Sequence, residues 1–328
     1  MTDFRGVTRV AVLDDYQGGA ASWADWDSLG GDVEVSFFRE PIGEGQLAKA
    51  LARFEVIVAM RERTRFPSAV VQRLEALKLI ATTGMRNAAL DLDALRARGV
   101  IVCGTDGTGP ALDGGVPSTI EVAWALILAV AKCVTVQGRE LRAGRWQTGL
   151  PATLAGATLG LAGLGRLGAA MVAPARAFGM RTIAWSQNLT DERAAEVGVT
   201  RVARDELLAR SDFLSIHLVL SDRTRGLIGA QELAAMKPAA ALINTSRGPI
   251  VDEQALVQAL RAGTIAAAGL DVFDREPLPA GHPLTELDNA VLLPHLGYVS
   301  EATMRHMYGQ VVEAIAAWRR GAPIRVIA

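Results

Sequence analysis

Cysteine is scarce in this chain of 328 residues, which contains two, Cys103 and Cys133. They lie far apart, and their spacing matches neither a C-x-x-C motif nor a set of metal ligands. Unpaired cysteines suit a reducing compartment, where they serve most often as packing residues. We therefore predict no metal site, two reduced cysteines and a cytoplasmic protein.

An excess of charge of one sign is also missing, because 34 Lys and Arg residues balance 35 Asp and Glu residues to a net charge of −1. Such a surface gives no electrostatic basis for binding nucleic acid or an anionic membrane. The N-terminus lacks the basic start and apolar stretch of a signal peptide. The longest apolar run, residues 122–131, is too short to span a bilayer. We predict a soluble protein with no nucleic-acid or membrane partner.

What the chain has instead is an alternation of apolar strands and helices. In the first hundred residues the predicted strands are 9–13, 33–38, 56–59, 79–83 and 100–103, and the predicted helices are 21–30, 45–53, 67–77 and 92–98. This alternation indicates a parallel sheet with helices on both faces. It begins again at Thr158, with strands at 158–162, 181–186, 213–217, 240–244, 267–272 and 290–293 and a last helix at 300–320. The sequence therefore predicts two α/β units in series.

A glycine-rich turn opens the second unit. Gly163, Gly165 and Gly168 form G-x-G-x-x-G between a short apolar strand and a helix, as in a dinucleotide-binding βαβ unit. The first glycine permits the tight turn, the second lets a pyrophosphate approach the backbone, and the third lets the helix lie close to the strand. The backbone N–H groups of Arg166 and Leu167 at the helix start would then face the phosphates.

The end of the next strand lacks the carboxylate that usually binds the adenosine ribose. The chain has Ser186-Gln187-Asn188 at this place. A serine does not repel a 2′-phosphate, and no arginine in this tripeptide attracts one. The choice between NAD and NADP is open on these residues.

A loop and a long apolar segment separate the two units. Residues 104–117 contain five glycines and two prolines, and a loop of this length is more often functional than a plain connector. Ser118 or Thr119 then caps a predicted helix that continues to about Leu141. Its apolar residues cover more than one face. A helix buried between domains and a subunit interface explain this pattern equally well.

Polar side chains that follow the strands are the candidates for chemistry, because ligands of open parallel sheets gather at the carboxyl ends of the strands. Reducing a carbonyl with a nicotinamide needs a proton donor and a cation for a carboxylate. His295 is the candidate donor, with a core histidine as the alternative. Arg247 is the candidate cation, with a solvated loop arginine as the alternative. Glu276 would stabilise an adjacent imidazolium, whereas the plainer interpretation is an ion pair with Arg275.

Several long motifs, in this order, resemble the D-isomer-specific 2-hydroxyacid dehydrogenase family over nearly the whole chain. They are the segments 160–168, 211–217, 236–238, 243–248, 251–253, 269–278 and 294–297. The resemblance implies an α/β protein with two Rossmann-like, doubly wound parallel-sheet domains. A flavodoxin-like substrate domain would comprise residues 1–103 and 297–328, and a dinucleotide-binding domain residues 104–296.

The resemblance also implies roles for individual residues. Arg247 would hold the substrate carboxylate and carbonyl, while Glu276 would pair with His295, which would give a proton to the carbonyl oxygen. The loop that binds substrate would contain Thr83, Gly84, Met85 and Arg86. The cofactor residues would be Gly163, Gly165, Arg166, Leu167, Gly168, Ser186, His217, Leu218, Thr245, Ser246, Asp271 and Gly297. The family is usually dimeric through its nucleotide domain, which favours the interface interpretation of the apolar helix.

These observations predict an enzyme that transfers hydride between NAD(P)H and a small 2-keto acid, such as glyoxylate or hydroxypyruvate, to give the D-2-hydroxy acid. NAD is the expected cofactor, NADP is not excluded by Ser186, and a homodimer is expected. The alternatives are a dinucleotide-sensing protein like the corepressors that share this fold, and an oxyanion dehydrogenase acting on phosphite. Two features suggest a distinct subgroup, namely the 104–117 loop and Arg86.

Overall fold

The computed structural model describes residues 6–106 and 117–328. The predicted function of the 104–117 loop therefore concerns residues that lie largely outside this description. Contacts divide the chain into two compact units, Met1–Asp113 with Ser300–Ala328, and Gly114–Val299. Both chain ends thus contribute to the first unit, while the predicted domain boundaries after residues 103 and 296 stay a prediction.

The strands are short and follow the predicted apolar runs. They are β1 Thr8–Val12, β2 Val33–Phe37, β3 Val56–Ala59, β4 Leu79–Thr82, β5 Ile101–Cys103, β6 Thr158–Ala162, β7 Arg181–Trp185, β8 Thr200–Arg201, β9 Phe213–Ile216, β10 Ala241–Asn244, β11 Ala267–Leu270 and β12 Ala290–Leu292. Every residue of β3, β4, β6, β9 and β10 is buried. This burial explains why these strands are continuous apolar runs without polar alternation.

Helices connect the strands. They are α1 Ala20–Trp23, α2 Glu44–Leu51, α3 Ser68–Val71, α4 Leu92–Ala97, α5 Ser118–Ala131, α6 Val134–Arg142, α7 Arg166–Ala170, α8 Val172–Ala177, α9 Asp191–Glu196, α10 Arg204–Arg210, α11 Ala230–Ala235, α12 Glu253–Ala262 and α13 Glu301–Arg319. Short 3₁₀ helices span Trp26–Leu29, Gly248–Ile250 and Pro283–Glu286. In the described part of the chain no single helix meets the length and hydropathy needed to cross a membrane, although α5 and α6 together, bent by 56°, do.

The strand orders confirm the predicted fold class. The first unit has a five-stranded parallel sheet in the order β2-β1-β3-β4-β5, which is the flavodoxin-like order. The second unit has a seven-stranded parallel sheet in the order β12-β11-β10-β9-β6-β7-β8. Its sequential strands run outward in both directions from β6, as in a dinucleotide-binding fold. The point at which the order reverses lies at β6, where the glycine-rich turn follows.

The prediction of one helix from Ser118 to about Leu141 is wrong. The segment forms α5 and α6, which are separated at Cys133, whose φ is +51°. The break has a packing cause. One face of α5 is buried on β10, β11 and β12 as far as Ala131, whereas α6 has no buried residue. The helix therefore breaks at the point where its burial against the sheet ends.

Two helices predicted in the first unit are also too long. In place of a helix over 21–30, α1 ends at Trp23, and a 3₁₀ helix follows because Ala24 is extended and Asp25 accepts a hydrogen bond from Ser28 N–H. In place of a helix over 67–77, α3 is followed by turns that carry Leu74 and Leu77 into the core. The apolar spacing of both segments is satisfied by burial without a regular helix.

Candidate active site

The glycine-rich turn has the close contacts expected of a dinucleotide loop. A Cβ on Gly168 would lie 2.1 Å from the Gly163 carbonyl oxygen, and one on Gly163 would lie 2.6 Å from the His217 carbonyl oxygen. By contrast, a Cβ on Gly165 would have nothing within 4 Å. Two glycines are therefore required by packing, whereas Gly165 borders open space. Arg166 and Leu167 follow at the start of α7, as predicted from the sequence.

A buried, unpaired hydroxyl marks a second part of the same edge. The side chain of Thr245 is 8% exposed, and its Oγ1 has no hydrogen-bond partner among the described residues. Next to it, the Ser246 hydroxyl donates to the Leu218 carbonyl, which joins the loops after β9 and β10. An unsatisfied hydroxyl at the same sheet edge as an open glycine turn is what a site for a polar cofactor requires. The residues present therefore fit a bound dinucleotide.

His217 directly follows β9 and is a partly buried, neutral group. Its Nε2 lies 2.9 Å from the Ser215 hydroxyl. Burial lowers the pKa of His217 to about 4, because a charged imidazolium would be poorly solvated there. His217 is therefore unsuited to donate a proton near neutral pH. It stays a predicted cofactor-lining residue, as does Ser186, which lies just beyond β7.

The Arg247 loop is shaped by a buried asparagine. Asn244, 1% exposed, donates from Nδ2 to the Arg247 carbonyl over 3.0 Å and accepts from Ser246 N–H over 3.0 Å. The Arg247 guanidinium donates to the Ser246 carbonyl at 2.8 Å and is half-buried. These bonds place the guanidinium at the carboxyl end of β10.

A glycine joins this loop to the loop that contains Glu276. A Cβ on Gly248 would lie 2.1 Å from the Phe273 carbonyl carbon and 2.6 Å from Asp274 N, so the two backbones touch. Phe273 N–H donates to Glu276 Oε1 over 2.9 Å. One oxygen of the Glu276 carboxylate is thereby positioned, and the other is directed to a different partner.

That partner is His295. Its Nδ1 lies 2.5 Å from Glu276 Oε2, and the two side chains are 27% and 32% exposed. The structure thus brings together the two residues that the sequence places nineteen positions apart. With Nδ1 engaged by the carboxylate, Nε2 is the ring nitrogen available to a substrate. The imidazole also packs against the ring of Tyr298 in a T-shaped contact, with the ring centroids 5.4 Å apart.

The backbone that carries His295 is held by a buried carboxylate. His295 has a φ of +53°, an uncommon conformation for a residue with a Cβ. Asp271, 0% exposed, accepts from Leu296 N–H at 2.7 Å and from Gly297 N–H at 2.8 Å. The Thr119 hydroxyl at the start of α5 donates to the Gly297 carbonyl over 2.7 Å. These three bonds fix the turn next to the imidazole.

Burial has a consequence for Asp271 itself. It raises the pKa of this carboxyl to about 6, against the opposing effect of the two backbone N–H donors. The family resemblance implies that Asp271 faces the nicotinamide end of the cofactor and that Gly297 also binds the cofactor. Their visible partners are backbone groups and Thr119, and the cofactor contacts stay a prediction.

The predicted substrate loop lies in the first unit, at the carboxyl end of β4. Thr83 and Gly84 are buried, whereas Met85 and Arg86 are exposed. Gly84 N–H donates to Thr105 Oγ1 over 2.8 Å, and Arg61 N–H donates to Thr83 Oγ1 over 2.8 Å. The loop therefore has a fixed base and two exposed side chains.

Sequence reasoning missed the residues that support the site. Gly248 and Thr119 act through contacts with residues far away in the chain, which no local pattern reveals, whereas Tyr298 packs against His295 only three positions away. The sequence predicts Ser118 or Thr119 as the helix cap, whereas Pro117 is the N-cap and the Thr119 hydroxyl instead donates to the Gly297 carbonyl. Among the described residues there is no cluster of three or more His, Cys, Asp or Glu side chains that could hold a metal ion.

The arrangement supports one kind of chemistry well. A cation, a carboxylate and an imidazole follow three neighbouring strands, β10, β11 and β12, at the same sheet edge as an open glycine turn. An imidazole that is paired with a carboxylate through Nδ1 can donate or accept a proton at Nε2. The guanidinium suits a substrate carboxylate or a developing oxyanion.

This chain is similar to several known proteins. The family model of the D-isomer specific 2-hydroxyacid dehydrogenase NAD binding domain matches residues 124–297. A glyoxylate reductase of Aeropyrum pernix is 38% identical over 300 residues, covering 88% of this chain and 87% of that protein. A glyoxylate/hydroxypyruvate reductase B of Serratia proteamaculans is 36% identical, covering 84% and 85%. A solved structure from Ralstonia solanacearum, described as a D-3-phosphoglycerate dehydrogenase oxidoreductase, superposes with a TM-score of 0.90 at 35% identity, covering 97% of this chain and 96% of that chain.

Proposed function

The chain belongs to the D-isomer-specific 2-hydroxyacid dehydrogenase family and is an NAD(P)-dependent reductase of 2-keto acids, for which we propose glyoxylate and hydroxypyruvate as substrates. Two relatives whose names include glyoxylate reductase support this choice. The observation that carries the proposed catalytic roles is the contact between His295 Nδ1 and Glu276 Oε2. The sensing and phosphite alternatives are not favoured by these relatives.

In the proposed mechanism three side chains of the second unit act on the keto acid. Arg247 binds the carboxylate and polarises the carbonyl with its guanidinium. His295 donates the proton from Nε2 to the carbonyl oxygen, and Glu276 stabilises the imidazolium and keeps the ring oriented. A dinucleotide held at the glycine-rich turn would supply the hydride for C2. In the oxidative direction His295 takes the proton from the hydroxyl group.

The remaining roles are also proposals. The exposed side chains of Met85 and Arg86, on the base formed by Thr83 and Gly84, would contact the substrate and select among keto acids. Thr245 Oγ1, buried and without a partner among the described residues, would bind the cofactor. Ser186, which carries no charge, would allow both NADH and NADPH to bind.

We further propose a homodimer formed through the second unit. Four apolar side chains in and after α6 are exposed, namely Val134 at 55%, Leu141 at 58%, Trp146 at 75% and Leu150 at 98%. Surfaces of this kind commonly mark interfaces between subunits. Sedimentation of the wild type and of Leu150→Asp should give a dimer and a smaller species, respectively. A wild-type monomer would contradict the proposal.

The free cysteines Cys103 and Cys133 agree with the proposed cytoplasmic location.

The test of the substrate proposal is a panel of 2-keto acids assayed with NADH and with NADPH. We expect the highest kcat/KM with glyoxylate or hydroxypyruvate and weaker turnover of branched and aromatic keto acids. Trace turnover of every acid despite tight dinucleotide binding would contradict the proposal and favour a sensor. Oxidation of phosphite with NAD, without keto-acid turnover, would favour the oxyanion alternative.

A further inference from the structure

The end of β7 is an uncharged edge where the adenosine ribose of a dinucleotide is usually bound by a carboxylate. Ser186 is partly buried, Gln187 and Asn188 are exposed, and Leu189 N–H donates to the Ser186 carbonyl over 3.1 Å to close a turn. These side chains carry no negative charge. A phosphate on the ribose would therefore meet no repulsion from this turn.

An arginine from another loop reaches this turn. Arg223 Nη1 donates to Gln187 Oε1 over 3.3 Å. Arg223 lies in the loop after β9, and β6 separates β9 from β7 in the sheet. The contact therefore spans the end of β6, the strand that leads into the glycine-rich turn. A guanidinium is thus present at the place where the tripeptide itself offers none.

The loop of Arg223 is a built turn. Thr224 Oγ1 donates to the Val219 carbonyl over 2.7 Å and accepts from Ser221 N–H over 2.8 Å. The backbone N–H groups of Thr224 and Arg225 both donate to the Ser221 carbonyl, over 3.0 and 2.9 Å. These bonds fix the backbone from which the Arg223 side chain extends.

The electrostatics of the contact favour an anion. The partner of Arg223 is a neutral amide at a long hydrogen-bond distance, so this contact does not neutralise the positive charge. A guanidinium has five N–H donors in a planar fork, which suits the oxygens of a phosphate monoester. Exchanging one weak bond to an amide for two charge-assisted bonds to a dianion is favourable.

We propose that Arg223, together with Ser186 and Gln187, forms a binding site for the 2′-phosphate of NADP(H), which makes NADPH the preferred reductant. This inference rests on the proposed binding of a dinucleotide at the glycine-rich turn. It assigns the cofactor preference to a residue more than thirty positions away from the strand end that usually decides it.

The experiment is to measure dissociation constants of NADPH and NADH by nucleotide fluorescence for the wild type, Arg223→Gln and a control. The control is Arg193→Gln, an exposed arginine of α9 that pairs with Glu196 at 2.8 Å. The wild type should bind NADPH about tenfold or more tightly than NADH, as expected for one additional charge-assisted pair. Arg223→Gln should lose this difference with NADH affinity unchanged, and Arg193→Gln should retain it. Calorimetry with 2′,5′-ADP and 5′-AMP should give the same pattern.

Other results would overturn the site. An equal loss for both nucleotides in Arg223→Gln would show that the arginine contacts the adenosine or stabilises the loop. Unchanged NADPH affinity in that variant would also contradict the proposal. Ser186→Asp is a separate test of where the 2′-phosphate lies, since an added carboxylate should weaken NADPH binding and spare NADH; if Arg223→Gln does not fold, Arg223→Lys, which keeps the charge but loses the planar fork, should lower the NADPH preference without abolishing it. If the wild type binds NADH and does not prefer NADPH, only this inference is contradicted. If it binds neither nucleotide, the proposed function is contradicted as well.

Discussion

His295 owes its position to its backbone as much as to its side chain. A φ of +53° costs roughly 1 kcal/mol or more in a residue with a Cβ, and surrounding contacts must offset that cost. Asp271 offsets it by accepting the next two backbone N–H groups. Glu276 then orients the ring through Nδ1. Two carboxylates therefore position His295: Asp271 stabilises its backbone, and Glu276 orients its ring.

Replacing Glu276 by Gln tests the second of these tasks. The amide can still accept from Phe273 N–H, but it cannot balance an imidazolium. We expect kcat for keto-acid reduction to fall by about 10²-fold, within the range for general acid–base catalysis. The dissociation constant of the dinucleotide should stay within twofold. The matched control is Glu253→Gln, which weakens another histidine–carboxylate pair, the 3.0 Å contact with His282, and should leave kcat nearly unchanged. If kcat falls equally in Glu276→Gln and Glu253→Gln, the proposed role of Glu276 is contradicted.

His217 gives the protein a predictable dependence on pH. Its pKa is about 4 in the folded state, below the ordinary value of 6.5. Between these values the unfolded chain binds more protons, so the free energy of unfolding decreases as the pH falls from 6.5 to 4. Relative to His217→Gln, the apo wild type should lose up to about 3 kcal/mol across this interval. Urea unfolding at several pH values measures this loss of unfolding free energy. If the free energy of unfolding depends on pH in the same way in both proteins, the lowered pKa of His217 is contradicted.

At the scale of elements, the glycine turn shows which positions the sequence pattern explains. Gly163 and Gly168 touch backbone atoms, so they are required by the fold. Gly165 touches nothing within 4 Å, so folding alone does not explain it. The pattern predicts all three from spacing. The structure distinguishes Gly163 and Gly168, which pack against backbone atoms, from Gly165, which has open space beside it.

Gly165→Ala should therefore separate binding from stability. Its φ of −76° is accessible to alanine, and the added Cβ has open space. We expect thermal stability within about 1 kcal/mol of the wild type and dinucleotide affinity at least tenfold weaker. Gly168→Ala, by contrast, should lower stability as well. Undiminished dinucleotide binding in Gly165→Ala would show that the pyrophosphate does not approach this position.

The helices show where sequence patterns stop being informative. The apolar run after residue 117 predicts a helix, and α5 and α6 exist, but their separation depends on where the underlying sheet ends. A left-handed turn usually carries glycine, and Cys133 gives no such signal. Similarly, Leu74 and Leu77 have helical spacing but enter the core from turns. The spacing of apolar residues in the sequence indicates which side chains are buried. A buried side chain can lie in a turn as well as in a regular helix.

At the scale of the whole molecule, composition and alternation predict two parallel-sheet units, and both strand orders agree. The catalytic roles stay proposals, and their candidates could be named from the sequence because their motifs are local, as with Arg247 after β10. Their support was not predictable, because it depends on contacts such as Gly248 on Phe273 and Thr119 on Gly297. Arg223 belongs to the same class, since its meeting with Gln187 exists only once β6, β7 and β9 are assembled.

The most direct test of the account is the rate of glyoxylate reduction by His295→Asn, measured beside its dinucleotide affinity. We predict that kcat falls by about 10³-fold or more while the dissociation constant stays within twofold, because the imidazole acts on the substrate proton. The control His282→Asn keeps a side chain that can cap the following 3₁₀ helix and should retain wild-type turnover. Turnover by His295→Asn within tenfold of the wild type would contradict the central claim that this histidine is the proton donor.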